Sequence, residues 1–361
     1  MKIEIPRRKT REIKIGHLKL GGNNPILVQS MTNTDTKDSK ATIDQIKRLE
    51  KAGCEIIRVS VPDQESALAL KEIKKNISIP LVADIHFDWK MAIESIRNGA
   101  DKIRINPGNI GDEEKVRLIA EEAKKNNVGI RVGINSGSLQ KDILHKYNDK
   151  VTPEGLVESA IRSINLLEKF GIKDIVVSIK STDVLTTIKS HEILADKGDW
   201  PFHLGITEAG IARTGIVKSS LGIGGLLLNG IGDTVRVSLS GDPEEEVKVG
   251  WEILKSLGLR ERGLTVISCP TCSRTKIPVE GIAKYLENNS DSFGDKPIKI
   301  AVMGCIVNGL GEAKEADLAF VGIEKGKASF FRKGEFIENL EPDKINDFIK
   351  DLIKFKKYEN K

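Results

Sequence analysis

At 361 residues the chain is long for one hydrophobic core and comfortable for two domains. Its composition, 39% hydrophobic and 30% charged, is that of a globular protein, and no apolar run is long enough to span a membrane. The net charge of +5 is too mild and too dispersed to argue for nucleic acid, and it fits an anionic small molecule equally well. The start, Met1-Lys2-Ile3-Glu4-Ile5-Pro6-Arg7-Arg8, has no apolar segment and is not a signal peptide. Four cysteines, three of them close together near the C-terminal end, argue for a reducing cytoplasm rather than a disulfide framework.

Residues 1–20 carry mixed charge and are expected to form a short hairpin or strand that closes one end of the unit after it. An alternation then repeats eight times, with strand candidates at 26–31, 55–61, 81–86, 102–107, 129–135, 174–180, 202–207 and 233–239. Amphipathic helices lie between them, as in 42–50, where Ile43, Ile46 and Leu49 share a face. Asp88 is placed to cap one helix, Thr152-Pro153 opens another, and Asp242-Pro243-Glu244-Glu245 opens the last with cap, N1 proline and N3 carboxylate in order. Eight strand–helix units in about 250 residues are the arithmetic of a (β/α)8 TIM-type barrel over 1–259. An open doubly wound sheet seldom needs eight regular repeats. Residues 260–361 read as a smaller α/β domain, with strands ahead of each cysteine loop and at 317–322 and 328–331, a helix over 279–288 and a closing helix over 343–358.

Strand parity says more than the count. Alternate residues of a barrel strand face the helices and the axis. The apolar sets, such as Ile130, Val132 and Ile134, must pack on the helices, so the polar sets point inward. An ordinary barrel interior is layered Val, Ile and Leu, but this one is lined with Arg58, Arg104, Arg131, Lys180 and Arg236. A buried ion-pair lattice with Asp84 and Glu208 would leave cations over, and unpaired buried charge is costly. The missing negative charge points to an anionic ligand, and guanidiniums suit phosphate oxygens. Most of these residues fall at C-terminal strand ends, where barrel enzymes do their chemistry. Glu208, just past the seventh strand, is a candidate general acid/base or a charge partner. Cys54 lies four positions before Arg58, roughly 13 Å deeper along the strand, and reads as a buried small hydrophobe.

The other three thiols sit at Cys269-Pro270-Thr271-Cys272 and Cys305, each loop fed by a strand. A Cys-x-x-Cys turn brings two sulfurs to one metal centre, as in a zinc clip or a redox dithiol. No histidine follows His203, which disfavours structural zinc, and a dithiol leaves Cys305 unexplained. Three thiolates with an oxygen ligand or an open position suit an iron–sulfur cluster that works through one exposed iron.

With Cys269 to Thr275, the run Gly304-Cys305-Ile306-Val307-Asn308-Gly309-x-Gly311-Glu312-Ala313, Arg104-Ile105-Asn106-Pro107-Gly108-Asn109 and His203-Leu204-Gly205-Ile206-Thr207-Glu208-Ala209-Gly210 in view, the chain resembles the 4-hydroxy-3-methylbut-2-enyl diphosphate synthases of the non-mevalonate isoprenoid pathway, in their compact bacterial two-domain form. The resemblance covers nearly the whole length. It implies an iron–sulfur oxidoreductase with a [4Fe-4S] cluster held by Cys269, Cys272, Cys305 and Glu312. The implied substrate is 2-C-methyl-D-erythritol 2,4-cyclodiphosphate, on Arg58, Arg104, Arg131 and Lys180 with Asn106 and Asn135 as neutral donors. The implied reaction is a reductive ring opening and dehydroxylation with two electrons from ferredoxin or flavodoxin, Glu208 serving as acid/base. Leu310 departs from the proline usual in the family, which leaves the Glu312 loop less stiff.

A homodimer is also expected. The eighth helix, from 242 to 258, is about 25 Å long and returns the chain to the barrel floor, while the cations sit at the mouth. A domain of about 100 residues has a radius of gyration near 13 Å and would struggle to fold back over its own mouth. Head-to-tail pairing, each cluster domain capping the partner's barrel, removes the difficulty. Two other classes compete: a phosphate-binding barrel synthase of the pterin-binding type with a structural metal clip, and a non-enzymatic cluster carrier, which leaves the inward cations without purpose.

Overall fold

The computed structural model describes residues 4–354. Short polar side chains set the helix starts: Asp38, Asp63, Asp88, Asp112, Thr152, Asp183 and Asp242 each accept a backbone N–H from the adjoining first turn, pairing groups the helix leaves open. Glu245 does not close a capping box at the last of these; it pairs with Lys248 on the surface. Strands β1 (Ile13–Ile15) and β2 (Leu18–Leu20) form an antiparallel hairpin. Eight parallel strands come next: β3 (Leu27–Met31), β4 (Ile56–Ser60), β5 (Leu81–Asp84), β6 (Lys102–Ile105), β7 (Gly129–Asn135), β8 (Ile175–Lys180), β9 (His203–Leu204) and β10 (Thr234–Val235). β10 pairs with both β9 and β3, and one bridge, Val177 to Phe202, spans β8 and β9, so the sheet is a nearly closed barrel.

The last two strands are shorter than the alternation predicts. Beyond Val235 the chain is drawn toward the next helix, where Leu239 N donates to Glu246 Oε1 at 2.9 Å rather than to a neighbouring strand. Elsewhere the parity holds. Ile57, Val59, Ile103, Ile105, Ile130, Val132, Ile175 and Val177 belong to the outer core against the helices. Inward, Leu27, Ile56, Val82 and Val176 meet Ile13, Ile15 and Leu20 of the hairpin, which plugs the floor.

Barrel strands tilt, so in-register neighbours differ in height by about one residue per strand. Applying that offset to the register sorts the inward side chains into layers of four. From the floor upward, the first holds Ile56, Lys102, Val176 and Thr234, and the second Gln29, Val82, Arg131 and His203. Arg58, Arg104, Ser178 and Arg236 come next, then Met31, Asp84, Gly133 and Gly205, then Ser60, Asn106, Lys180 and Ser238 at the mouth.

The chain divides at Arg260/Glu261. The second unit is a five-stranded sheet in the order β11 (Leu264–Ser268), β12 (Ile298–Met303), β13 (Leu318–Gly322), β14 (Ala328–Arg332) and β15 (Glu335–Leu340). The first three strands are parallel and the rest antiparallel. Phe320, Phe330 and Leu286 lie in its core. β15 is absent from the sequence reading: it is an edge strand exposed along most of its length, so it lacks an apolar signature. The closing helix spans Ile345–Lys354, and the remainder of its expected range, 355–358, lies outside the described residues.

The floor plug generates a stability test. Ile15 is fully buried in it, and Ile15→Ala should destabilise the barrel by about 2–5 kcal/mol. Trp89, Trp200 and Trp251, the three tryptophans of the chain, all lie in the barrel unit, so urea unfolding followed by tryptophan fluorescence reports on it directly. An unchanged midpoint would mean that the hairpin is not part of the barrel's core.

Candidate functional site

Above the floor, the upper barrel layers enclose a cavity of ≈ 240 Å³ lined by Arg58, Arg104, Arg131, Lys180 and Arg236, together with Asp84, His86, Asn135, Ser178 and Thr207. Two glycines make room for the long cations. A Cβ on Gly133 would lie 2.1 Å from Arg104 Nε, and one on Gly205 would lie 2.8 Å from Lys180 Nζ. Those layers can carry charged heads only because the intervening positions carry no side chain.

Asp84, 3% exposed, is the hub of the cluster. Its Oδ1 accepts from Arg104 Nη1 at 3.2 Å, its Oδ2 lies 3.8 Å from Arg58 Nε, and His86 Nε2 is 3.5 Å away. Burial opposes ionisation of this carboxyl, but Arg58, the His86 hydrogen bond, Arg104 and Arg131 outweigh it and hold the group well below the ordinary carboxylate range. Burial, partly offset by Asp84, pulls the Arg58 guanidinium down to about 10. Its Nε and Nη2 point at the thioether of Met31, at 3.1 and 2.9 Å, and a thioether is a weak acceptor. Arg131 is 1% exposed, and among the described residues its one side-chain hydrogen-bond partner is Gln29 Oε1 at 3.5 Å. Burial, then Arg58 and Arg104, push its pKa well down. For Lys180, burial followed by Arg58, Arg236 and Arg131 acts the same way.

The ion-pair lattice is therefore real but partial. Glu208 takes no part in it; it is exposed, and its backbone sits in the left-handed region at φ 46°, a strain that residues with special roles often carry. A carboxylate that the sequence reading missed takes its place. Glu246 projects from the helix Pro243–Ser256, is 4% exposed, and contacts Arg236 Nη2 at 3.2 Å and Ser30 Oγ at 3.4 Å. It comes after two other glutamates, and sequence gives no phase to say which of the three turns inward. Lys102, fully buried in the lowest inward layer, was also missed, although the parity of β6 already placed it beneath Arg104. Asn135 lines the cavity, whereas Asn106 turns its Oδ1 to the backbone N–H of Gly108 at 3.2 Å.

In the second unit, β11 and β12 run parallel and deliver Cys269 and Cys305 at neighbouring ends. The Cys269 sulfur accepts from Gly304 N at 3.1 Å, and Lys276 N donates to Gly304 O at 2.8 Å, so the Cys-x-x-Cys turn folds over the Cys305 loop. Cys272 is exposed, and the backbone N–H of Arg274 pulls its thiol below the ordinary range, toward the ligating thiolate. Cys305 is the N-cap of the helix Ile306–Glu315, and Glu312 lies two turns on, where side chains lean back toward the helix start. All four thiols are free, and among the described residues no three Cys, His, Asp or Glu side chains close on one metal point. Three thiols on two adjacent loops, with a carboxylate on the helix after them, are a donor set that fits an iron–sulfur cluster. Cys54 stays apart in the barrel, donating to Ile56 O at 3.0 Å, with its thiol pushed up to about 12 by burial.

Comparisons with known proteins agree with both units. Residues 10–251 match the GcpE TIM-barrel domain and residues 265–355 the GcpE protein C-terminal domain. The 4-hydroxy-3-methylbut-2-en-1-yl diphosphate synthase (flavodoxin) of Caldanaerobacter subterraneus subsp. tengcongensis is 55% identical over 354 residues, covering 98% of this chain and 99% of that protein. The protein of the same name from Clostridium acetobutylicum is 53% identical over 343 residues, covering 95% and 97%. Among solved structures, the dihydropteroate synthase of Stenotrophomonas maltophilia superposes with a TM-score of 0.52 at 12% identity, covering 68% of this chain and 97% of that one. That is a likeness of fold alone.

Asp84→Asn isolates the hub. Losing one partner of a buried pair leaves its cations uncompensated, at a cost of about 3 kcal/mol. Added pyrophosphate should restore part of the loss by bringing charge back. Because the Asp84 pKa is depressed, the stability it lends is complete above the unfolded value near 4 and fades as pH falls toward the folded one. The gap in melting temperature between wild type and variant should thus be flat from about pH 5 to 8. A gap that closes within that range would place the Asp84 proton elsewhere.

Proposed function

The chain belongs to the GcpE family, and on that footing we propose that it acts as an iron–sulfur oxidoreductase on 2-C-methyl-D-erythritol 2,4-cyclodiphosphate, opening the ring and removing a hydroxyl to give 4-hydroxy-3-methylbut-2-enyl diphosphate. The observation that carries this reading is the barrel interior. Six buried or nearly buried cations, Arg58, Lys102, Arg104, Arg131, Lys180 and Arg236, face two carboxylates, Asp84 and Glu246, an excess of four among the described residues. A diphosphate supplies the missing charge and accepts the forked contacts that guanidiniums offer.

In this reading Arg58, Arg104, Arg131 and Lys180 grip the diphosphate, with Asn135 and Asn106 as neutral donors. Asp84 keeps Arg58 and Arg104 aimed into the cavity, and Glu246 does the same for Arg236. Glu208, exposed and strained just past β9, holds the proton that accompanies the departing hydroxyl. Cys269, Cys272, Cys305 and Glu312 hold the [4Fe-4S] cluster, which when bound supplies electrons and a Lewis-acidic iron. Flavodoxin is the proposed donor, as the names of the relatives suggest. The cytoplasm is the proposed compartment; no helix among the described residues is long and apolar enough to cross a membrane.

The cluster assignment has a readout besides activity. Anaerobically prepared chain should be brown, with near-equal iron and sulfide. Cys305→Ser should lose the colour and both elements, while Cys54→Ser should retain them. Cluster loss in the Cys54 variant would undo the ligand set.

The proposal extends to a head-to-tail homodimer in which each barrel is served by the partner's cluster. Within the barrel unit, Arg260 donates to Ile26 O at 2.6 Å and pairs with Glu55 at 3.0 Å, so the chain leaves the barrel beside the starts of β3 and β4, at the floor. Wild type given reduced flavodoxin and the cyclic diphosphate should release the linear diphosphate. Arg131→Ala and Cys272→Ala chains should each be inactive alone. Co-expressed, they should recover roughly a quarter of wild-type activity, since about half of random dimers are mixed with one intact site each. A dead mixture would show sites closed within one chain, and a loaded wild type that leaves the cyclic diphosphate untouched would overturn the substrate.

A further inference from the structure

We propose that the barrel encloses a second anion site below its mouth, where Lys102 Nζ, Gln29 Nε2, His203 Nε2 and Arg131 Nε hold a halide-sized monovalent anion on the axis. These four nitrogens have no hydrogen-bond partner, and their residues are between 0% and 1% exposed. They come from four different strands, β6, β3, β9 and β7, yet the register puts them in the two adjacent layers beneath Arg58 and Arg104. Buried donors left unpaired are costly, and several in adjacent layers without an acceptor are rare in folded proteins.

Among the described residues no buried carboxylate is free to serve them; Asp233 is taken by Arg7, Thr10 and the Phe202 N–H. Asp84 is committed to Arg58 and Arg104, and Glu246 to Arg236, Ser30 and the Leu239 N–H. Thr234 Oγ1 lies 2.9 Å from His203 Nδ1; with that hydroxyl donating, the ring carries its proton on Nε2. Val82 fills the remaining place in the upper of the two layers. Donors brought in by separate strands around an apolar contact suit a compact spherical anion, whereas the guanidinium forks at the mouth match the proposed diphosphate. Gln29, Lys102 and His203 do not line the mouth cavity, so the lower site is distinct from the proposed diphosphate site and shares only Arg131 with it.

An uncharged Lys102 is the competing state. Burial first, then Arg131 and Arg58, push its pKa well below the ordinary value. Neutralising it relieves the charge and gives the amine one lone pair, which can serve only one of Gln29 Nε2 and His203 Nε2 and leaves the other with nothing to donate to.

Crystals of the cluster-loaded full chain, soaked in bromide with pyrophosphate filling the mouth, should show an anomalous peak within about 3.5 Å of Lys102 Nζ. In solution, with pyrophosphate present and ionic strength held constant with gluconate, the melting temperature should rise by about 3 °C for each tenfold increase in chloride above its dissociation constant. Lys102→Met should lose that slope while still binding pyrophosphate. A bromide peak confined to the mouth, or equal chloride slopes in wild type and variant, would overturn the proposal and leave Lys102 neutral. If the variant does not fold, the bromide map of the wild type decides alone. Neither result bears on turnover of the cyclic diphosphate, so the two readings fail separately.

Discussion

The rest of the barrel is arranged around positive charge that its own acids do not balance. Moving a lone ion from water into a dry interior costs several kcal/mol even after relaxation, and this barrel does so repeatedly within three consecutive layers. The two carboxylates that meet these cations, Asp84 and Glu246, are placed where geometry matters most. Asp84 restrains two guanidiniums from neighbouring strands, and Glu246 reaches in from a helix to restrain a third. What remains unbalanced is a standing demand for anions. The protein thereby forgoes stability when empty in return for affinity, so ligand binding and barrel stability are two readings of one charge balance.

That demand is tolerable because everything around it is apolar. Strand parity sends Val, Ile and Leu outward to a continuous core against the helices, and the β1–β2 hairpin seals the floor with Ile13, Ile15 and Leu20. Water therefore reaches the cations from the mouth side only, which keeps the effective dielectric low and each contact with an anion strong. Gly133 and Gly205 complete the arrangement by leaving the space that Arg104 and Lys180 occupy.

Much of this was legible in the sequence because a barrel strand has period two and a one-residue error would reverse every face. Arg58, Arg104, Arg131, Lys180 and Arg236 were read as inward from that rule alone, and all five line the cavity. The pattern fails where period two stops applying. Glu246 sits on a helix among three glutamates and pairs with a residue ten positions away, a relation that no local pattern encodes. β10 is shorter than expected, and beyond it a side chain captures the Leu239 N–H that a ladder would have used. Glu208 was read as lying among the cations, yet a left-handed backbone carries it into solvent. β15 escaped notice because an exposed edge strand needs no apolar alternation.

The thiol-bearing unit presents the opposite problem to the barrel. Beside Cys305, the helix Ile306–Glu315 exposes Ile306, Val307 and Leu310 on one side. Three adjacent exposed apolar side chains make a patch of the kind that can mark an interaction surface. The expected Glu312 loop is instead helical, and Leu310 lies within that helix, one turn on from Ile306, where it extends the apolar strip. Under the proposed head-to-tail pairing this strip would be covered, and so could be apolar at no cost in solubility, while Glu312 lies on the opposite side of the same helix. Were Glu312 the fourth ligand, as proposed, its carboxylate oxygen would be the ligand most readily displaced by substrate. The barrel concentrates charge that an anion would neutralise, and the second unit carries an apolar strip that a second chain would cover under the proposed pairing.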